Sequence, residues 1–264
     1  MSRTQRTQND AMPEGVMRGH YAQKQLGSRS RLIAWSHRRR LATARCLVTP
    51  HAGKRLLDYG CGDGTFLAQV SSMFPDAVGA DVDEQQIEDC RQRLAQLHEI
   101  QFVTVNQLRE ASYAGSFDLI CCMEVLEHCL DAEADNLLID LDRLLAPQGS
   151  IIISVPIEIG PALFAKELFR ALAGWRKLGD YQYRDSYRLS EMLRMIGAGS
   201  ATAISRPVYP FGAGSAHSHK GFNWRSFHHR ISRVFAVREV RFSPFSGFAG
   251  WFSSQVWFRC ERWP

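Results

Sequence analysis

Between residues 54 and 156 the chain repeats one rhythm: a short apolar run, a stop, then an amphipathic stretch. The apolar runs are "KRLLDYG" (54–60), "AVGADV" (77–82), "IQFVTV" (100–105), "FDLICC" (117–122) and "SIIISVP" (150–156). Runs of this length without polar alternation suit strands buried on both faces. The segments between them have helical spacing. "TFLAQVSSMF" (65–74) stops at Pro75, the stretch 84–97 aligns Ile87, Cys90, Leu94 and Leu97, and 133–145 aligns Leu138, Leu141 and Leu145. Such alternation predicts an α/β fold, a doubly wound and mostly parallel sheet with right-handed crossovers. Its ligand should lie beyond the carboxyl ends of the strands, where the strand order reverses.

The two ends break the rhythm. Residues 20–48 read as helical, ending before Pro50. At the other end, "NWRSFHHRISRVF" (223–235) reads as a helix, and "VREVRF" (237–242) and "SQVWFRCE" (254–261) as an antiparallel hairpin. The stretch 157–220 is then an insertion after the fifth strand. Its first part aligns Phe164, Leu168, Leu172 and Trp175 on one face and Lys166, Arg170 and Lys177 on another. That amphipathic, basic helix suits a lid or a membrane-surface contact, or a helix packed on its own sheet. The domain reading is a basic helical arm at 1–50 and one domain at 51–264.

Charge is uneven. Residues 1–50 hold ten Lys or Arg against Asp10 and Glu14, although the whole chain carries only +5. A basic arm on a near-neutral body suits an anionic neighbour such as phosphate, nucleic acid or a membrane surface, or a solvated helix face. Seven cysteines without disulfide-like or CxxC spacing suit reduced thiols. "MSRTQRTQND" lacks the apolar core of a signal peptide, and the longest apolar stretch is broken by Glu158 and prolines. The expectation is a cytoplasmic protein with peripheral membrane contact and no membrane-spanning helix.

The glycine-rich segment "LLDYGCGDGTFL" (56–67) points to a cofactor. Gly60, Gly62 and Gly64 follow a strand and precede a helix, so the backbone can turn tightly and approach a ligand. A dinucleotide fingerprint would place glycine at Thr65, and no acid is needed at Asp58. A carboxylate at 58 suits a cationic ligand instead. The Asp-x-Gly-x-Gly-x-Gly form resembles the first motif of the class I S-adenosylmethionine-dependent methyltransferases, whose fold is Rossmann-like. The later segments "VGADVD", "FDLICCMEVLEH" and "LLAPQGSIIISVP" resemble the family's following motifs in order. The resemblance implies S-adenosylmethionine (S-adenosyl-L-methionine) as cofactor. Asp58, Gly60, Cys61 and Gly62 would wrap its amino-acid and ribose portions. Asp81, followed by Val82, would take the ribose hydroxyls. Asn106 stands where the family often has an aspartate near the adenine, and Met123 would lie against the cofactor.

A second group of residues stands in "CCMEVLEHC" (121–129). If this segment begins a helix, Glu124, Glu127 and His128 share one face. Two carboxylates and an imidazole there suit a divalent cation, magnesium or zinc, or catalytic groups that deprotonate a hydroxyl. The segment resembles the ExxEH motif of the ubiquinone-biosynthesis O-methyltransferases. Those proteins also have an arginine before the first motif that contacts the cofactor carboxylate, and the matching position is Arg40. Small-RNA 2'-O-methyltransferases with a similar ExxEH add a histidine before a segment like "FEWTR". Here "HSHKGFNWRSF" (217–227) offers His219, or His217, although Asn223 replaces an acid. The resemblance implies a catalytic set of Glu124, His128 and His219 and a metal set of Glu124, Glu127 and His128. The other reading is a metal-free cofactor wall.

These features predict methyl transfer to the oxygen of a small-molecule, lipid-linked or glycan acceptor. An RNA terminus is the alternative, with Phe222, Trp224, Arg225, His229 and Arg230 available to a nucleotide. A non-catalytic cofactor-binding partner protein is a third reading, in which Glu124, Glu127, His128 and His219 would be dispensable.

Overall fold

The computed structural model describes residues 15–28, 30–164, 166–167, 187–211, 214–245 and 250–264. Seven strands form one sheet: β1 (Leu56–Tyr59), β2 (Ala77–Asp81), β3 (Ile100–Thr104), β4 (Phe117–Met123), β5 (Leu145–Pro156), β8 (Phe235–Ser243) and β9 (Gln255–Arg262). Two further strands, β6 (Val208–Phe211) and β7 (Gly214–His217), pair as a separate hairpin. The sheet order is β3-β2-β1-β4-β5-β9-β8. The first five strands are parallel, and β9 and β8 close the edge antiparallel. The fold is thus the Rossmann-like α/β sheet with a C-terminal antiparallel hairpin. β1 lies between β2 and β4, so the chain reverses its direction of winding there. The crevice at the carboxyl ends of β1 and β4 is the expected ligand position.

Six helices are labelled: α1 (Arg31–Val48), α2 (Thr65–Val70), α3 (Glu84–Arg93), α4 (Asp131–Leu144), α5 (Leu189–Ile196) and α6 (Trp224–Val234). Their starts follow local chemistry. Asp83 accepts from Gln85 N at 3.0 Å and Gln86 N at 3.2 Å, and Asn223 accepts from Arg225 N and Ser226 N. Both satisfy amides that the first helical turn leaves open. Two apolar layers cover the sheet. On one face Leu138, Leu141 and Leu144 of α4 and Phe227 and Ile231 of α6 meet Ile120, Ile151 and Phe258. On the other, Leu41, Ala44 and Leu47 of α1, Leu67 of α2 and Ile87 of α3 meet Leu56, Leu119 and Trp257. Among the described residues no helix is long and apolar enough to cross a membrane.

Several boundaries depart from the sequence reading. The N-terminal segment is not one helix: a π turn at Ala22–Leu26 is followed by Gly27, and Ser30 caps a new start at Arg31. α3 ends at Arg93, while Leu94 stays buried just beyond it. β5 begins at Leu145, because the chain pairs with Phe117 before an irregularity restores register at Leu119 and Ser150. The ExxEH segment is not helical; it is a loop after β4. The insertion holds α5 and the β6–β7 hairpin, neither of which periodicity announced. Leu168, Arg170, Leu172, Trp175 and Lys177 of the expected amphipathic helix lie outside the described residues.

Candidate functional site

The loop after β1 has three left-handed glycines, with φ of 80° at Gly60, 54° at Gly62 and 71° at Gly64. A Cβ at Gly60 would stand 2.2 Å from Val125 Cγ2, so the backbone also needs the missing side chain for room. Asp81 at the end of β2 accepts from Gly62 N at 2.9 Å and from Asp83 N at 3.1 Å. Its carboxylate is therefore fixed beside the loop, with lone pairs left for a ligand. Asp63 ties the loop to the N-terminal segment: Oδ2 accepts from Tyr21 N and Ala22 N, and Oδ1 from Thr65 N. Sequence reasoning missed Asp63, Tyr21 and His20; an acid before a helix start reads as a cap, not as an anchor for a remote segment.

These elements enclose a cleft of about 230 Å³ lined by Tyr21, Arg40, Asp58, Gly62, Met123 and Glu124, among others. Asp58 is 2% exposed, and its Oδ1 has no partner among the described residues. Burial, with a smaller push from Asp81, raises its pKa to about 8. A buried carboxyl with an open lone pair fits a cationic ligand group, which would favour its charged form. Arg40 projects inward from α1. Its Nη1 is 3.5 Å from Glu124 Oε2, and its guanidinium stands 5.2 Å over the Tyr21 ring. The Tyr21 hydroxyl is in turn 2.9 Å from His37 Nδ1. Arg40 and Asp58 thus offer opposite charges to one cleft, as an amino-acid moiety requires. Cys61 also lines it. Val82 and Asn106 are solvent-exposed and outside the lining: β2 ends at Asp81, and Asn106 opens a short 3-10 turn.

Beyond Met123 the chain turns sharply. Glu124 has φ of 58°, the one positive value at a non-glycine among the described residues. Such a conformation costs about 1–2 kcal/mol. It replaces the helical face expected for Glu124, Glu127 and His128 by two separate directions. Glu124 faces the cleft, where Ser154 Oγ donates to its Oε1 at 3.2 Å. Glu127 turns inward, with no exposed surface, to meet His128 and His219. Glu127 Oε1 is 3.8 Å from His128 Nε2 and 3.7 Å from His219 Nε2, and the two Nε2 atoms are 3.3 Å apart. Two ligands held about 2.1 Å from one ion at a tetrahedral angle stand ~3.4 Å apart, so this spacing fits a cation such as zinc.

The protonation pattern agrees. His128 Nδ1 donates to the His217 carbonyl at 2.9 Å, which leaves the Nε2 lone pair facing the cluster. The His217 ring instead engages the Pro207 carbonyl, so His219 and not His217 enters the group. Neither Glu127 oxygen has a hydrogen-bond partner among the described residues. Burial, then the nearby Glu124, drives its carboxyl well above the ordinary range, and burial lowers His219 to about 4. Desolvation thus favours the neutral forms of Glu127 and His219; a divalent cation would favour the Glu127 carboxylate, and the histidine Nε2 lone pairs could take a proton from a hydroxyl.

Arg206, also missed from sequence, holds the cluster together. It donates to the carbonyls of Glu127 and of Ser218, the latter at 3.1 Å, and lies 5.0 Å over the Phe222 ring. It therefore joins the loop bearing Glu127 and His128 to the loop bearing His219. No sequence signal marks it, because its partners are carbonyls from two distant segments. The nucleotide-contact expectation for 218–230 fares differently. Phe222 is buried in the core, Trp224 packs edge-on against Phe242, Arg225 bonds the Ala198 carbonyl, and Arg230 pairs with Asp131 and Asp135. Those four side chains have partners within the chain, and His229 is exposed.

Comparison with known proteins bears on the family and the fold. A family model described as a methyltransferase domain matches residues 29–198, more than half the chain. Curated relatives include a ubiquinone biosynthesis O-methyltransferase of Mesorhizobium japonicum, 28% identical over 162 residues. Another, from Agrobacterium fabrum, is 32% identical over 167 residues. Both matches cover 60% of this chain and 63% of the relative, so the chain spans less than two thirds of their length. Among solved structures, magnesium protoporphyrin IX methyltransferase from Synechocystis PCC 6803, with bound SAH, has a TM-score of 0.54 at 14% identity. That match covers 89% of this chain and 88% of that one, and shows a shared fold. The glycine loop, the Asp58–Arg40 cleft and the family match lead to one conclusion: the chain belongs to the methyltransferase-domain family.

Proposed function

We propose that the protein O-methylates a hydroxyl-bearing small molecule, with a lipid-linked, quinone-like acceptor favoured and a glycan next. The single observation behind this reading is the cluster of the buried Glu127 with the partly exposed His128 and His219, immediately beyond the cofactor cleft. A free alcohol is a poor nucleophile near neutral pH, and O-methylation needs a base or a Lewis acid at the acceptor oxygen. The names of the curated relatives, O-methyltransferases of ubiquinone biosynthesis, support the same chemistry.

When bound, S-adenosylmethionine supplies an electrophilic methyl on a sulfonium centre. In our reading Asp58 meets the cofactor's ammonium and Arg40 its carboxylate. Asp81 accepts from the ribose hydroxyls, and Gly60, Cys61 and Gly62 let the backbone approach. Met123 and Glu124 form the wall that orients the methyl towards the acceptor. His219 and His128 take the acceptor proton at Nε2; were a magnesium or zinc ion bound, they and Glu127 would hold it, and it would supply Lewis acidity to the hydroxyl. The nitrogen-rich set suits zinc better than magnesium. Glu124, engaged by Arg40 and Ser154, is assigned to the cofactor side rather than to the metal. The insertion 157–220, which supplies Arg206 and His219, is proposed to shape the acceptor side.

The test combines labelled S-adenosylmethionine with a polyprenylated catechol, a glycan and an RNA oligonucleotide. Label on the catechol oxygen, lost in Glu127→Ala and His219→Ala, is the expected result. Label on nitrogen or carbon overturns the O-methyl reading, and label on RNA selects the alternative substrate. Activity insensitive to chelator together with a fully active Glu127→Ala variant ends the metal assignment. Cofactor binding without turnover of any acceptor would favour the non-catalytic partner role.

A further inference from the structure

α1 has two unlike faces. One carries Arg40 into the cofactor cleft. The other presents Arg31, Leu32, Trp35, Arg38 and Arg39 to solvent. Between Gly15 and Leu57 the sequence contains no acid. Among the described residues, no carboxylate lies within ion-pair distance of Arg31, Arg38 or Arg39. Beside this face sits the turn between β8 and β9. From Phe242 to Phe258 the sequence carries no charge, and five aromatics occur in its first eleven residues. Trp35 and Phe245 bring the two elements into contact, with ring centroids 6.0 Å apart. Thr43 Oγ1 and Ser243 Oγ, 3.2 Å apart, hold the base of the turn to the helix, and Ser253 Oγ donates to the Phe245 carbonyl.

On these two adjoining elements Leu32, Trp35, Phe245, Trp251 and Phe252 are each 39–61% exposed. An open groove of about 750 Å³ runs along α1 beside them, lined by Leu26, Leu32, Trp35, Arg31 and Arg38. Large exposed apolar side chains gathered on adjoining elements mark an interaction site. Its composition names the partner. Tryptophan and phenylalanine partition into the boundary between headgroups and acyl chains, and clustered arginines of one sign seek phosphates. A protein partner would not by itself call for an arginine rim with no balancing acid.

We infer that this surface, built from the outer face of α1 and from Phe245, Trp251 and Phe252 between β8 and β9, docks the protein on an anionic lipid surface. Phe245, Trp251 and Phe252 enter the interface, and Arg31, Arg38 and Arg39 contact the headgroup phosphates. The surface is distinct from the insertion 157–220 and from the residues assigned to chemistry. Because α1 also carries Arg40, docking would hold the cofactor cleft close to the membrane.

Flotation of the full chain with vesicles tests this without any acceptor, so its failure would leave the methyltransferase reading untouched. One vesicle is pure phosphatidylcholine and the other contains about 30% phosphatidylglycerol. Binding to the anionic vesicle alone is expected, weakening as sodium chloride is raised. Trp251→Ser/Phe252→Ser and, separately, Arg38→Gln/Arg39→Gln should each lower the bound fraction at least tenfold in partition coefficient. Affinity for SAH and the melting temperature should stay unchanged, which separates lost docking from lost folding. Equal binding to both vesicles, binding to neither, or binding that survives both variants overturns the inference. So does a wild-type dimer that the Trp251→Ser/Phe252→Ser variant dissociates, since the surface would then face a second copy.

Discussion

Cofactor affinity should depend on pH through Asp58. The free protein holds this buried carboxyl at a pKa of about 8, chiefly by desolvation. The ammonium of SAH would favour the carboxylate, so binding below that value must expel a proton. At pH 6 about one molecule in a hundred has Asp58 ionised, so affinity should be about 100-fold weaker there than well above pH 8. That ratio corresponds to ~2.7 kcal/mol at 1.36 kcal/mol per pK unit. Log Kd for SAH should fall by close to one per pH unit between pH 6 and pH 7.5. Isothermal titration calorimetry in buffers of contrasting ionisation enthalpy should report release of about one proton per SAH in the same range. Asp58→Asn should abolish both the slope and the proton release while weakening binding at pH 8. His20 lines the same cleft, and His20→Gln is the control that must leave the slope intact. A flat Kd in the wild type, or an unchanged slope in Asp58→Asn, refutes the assignment. Stability runs the other way. The folded state keeps a proton that the unfolded chain releases near pH 4, so the ligand-free protein loses stability as pH rises from about 4 to about 8.

Other perturbations separate the parts of the site. Arg40→Ala removes a charge-assisted contact worth about 1.5–3 kcal/mol and should raise Kd for SAH by roughly 10- to 150-fold, as read by calorimetry. A change below threefold would remove Arg40 from the cofactor set. Arg206→Met cuts the link between the Glu127 and Ser218 carbonyls. It should lower kcat at least tenfold with Kd for SAH within twofold, and an equal fall in SAH affinity would place Arg206 elsewhere in the mechanism. Gly64→Ala forces a side chain into φ of 71° and within 2.8 Å of Leu94 Cδ1. Thermal unfolding should show a loss of at least ~1 kcal/mol, and a neutral outcome would mean the loop relaxes without strain.

The sequence by itself determined the sheet and the cofactor loop. Apolar runs such as "LLDY" and "IIISVP" can be satisfied only between two covered faces, and alternation with helices then leaves few topologies. Asp58, the glycines and Asp81 are local features: each acts through backbone conformation or an adjacent turn, so their order along the chain exposes them. The ExxEH residues were legible as a group but not in geometry. A helix would have kept Glu124 and Glu127 together, whereas the left-handed backbone at Glu124 sends one to the cofactor cleft and the other into the core. Only the tertiary structure could decide that His219 rather than His217 joins the cluster, because β7 spends the His217 ring on the Pro207 carbonyl. Arg206, Tyr21 and the role of Asp63 likewise arise from contacts between segments remote in sequence. Periodicity encodes which face of an element is buried; it does not encode which distant carbonyl or amide that face will meet.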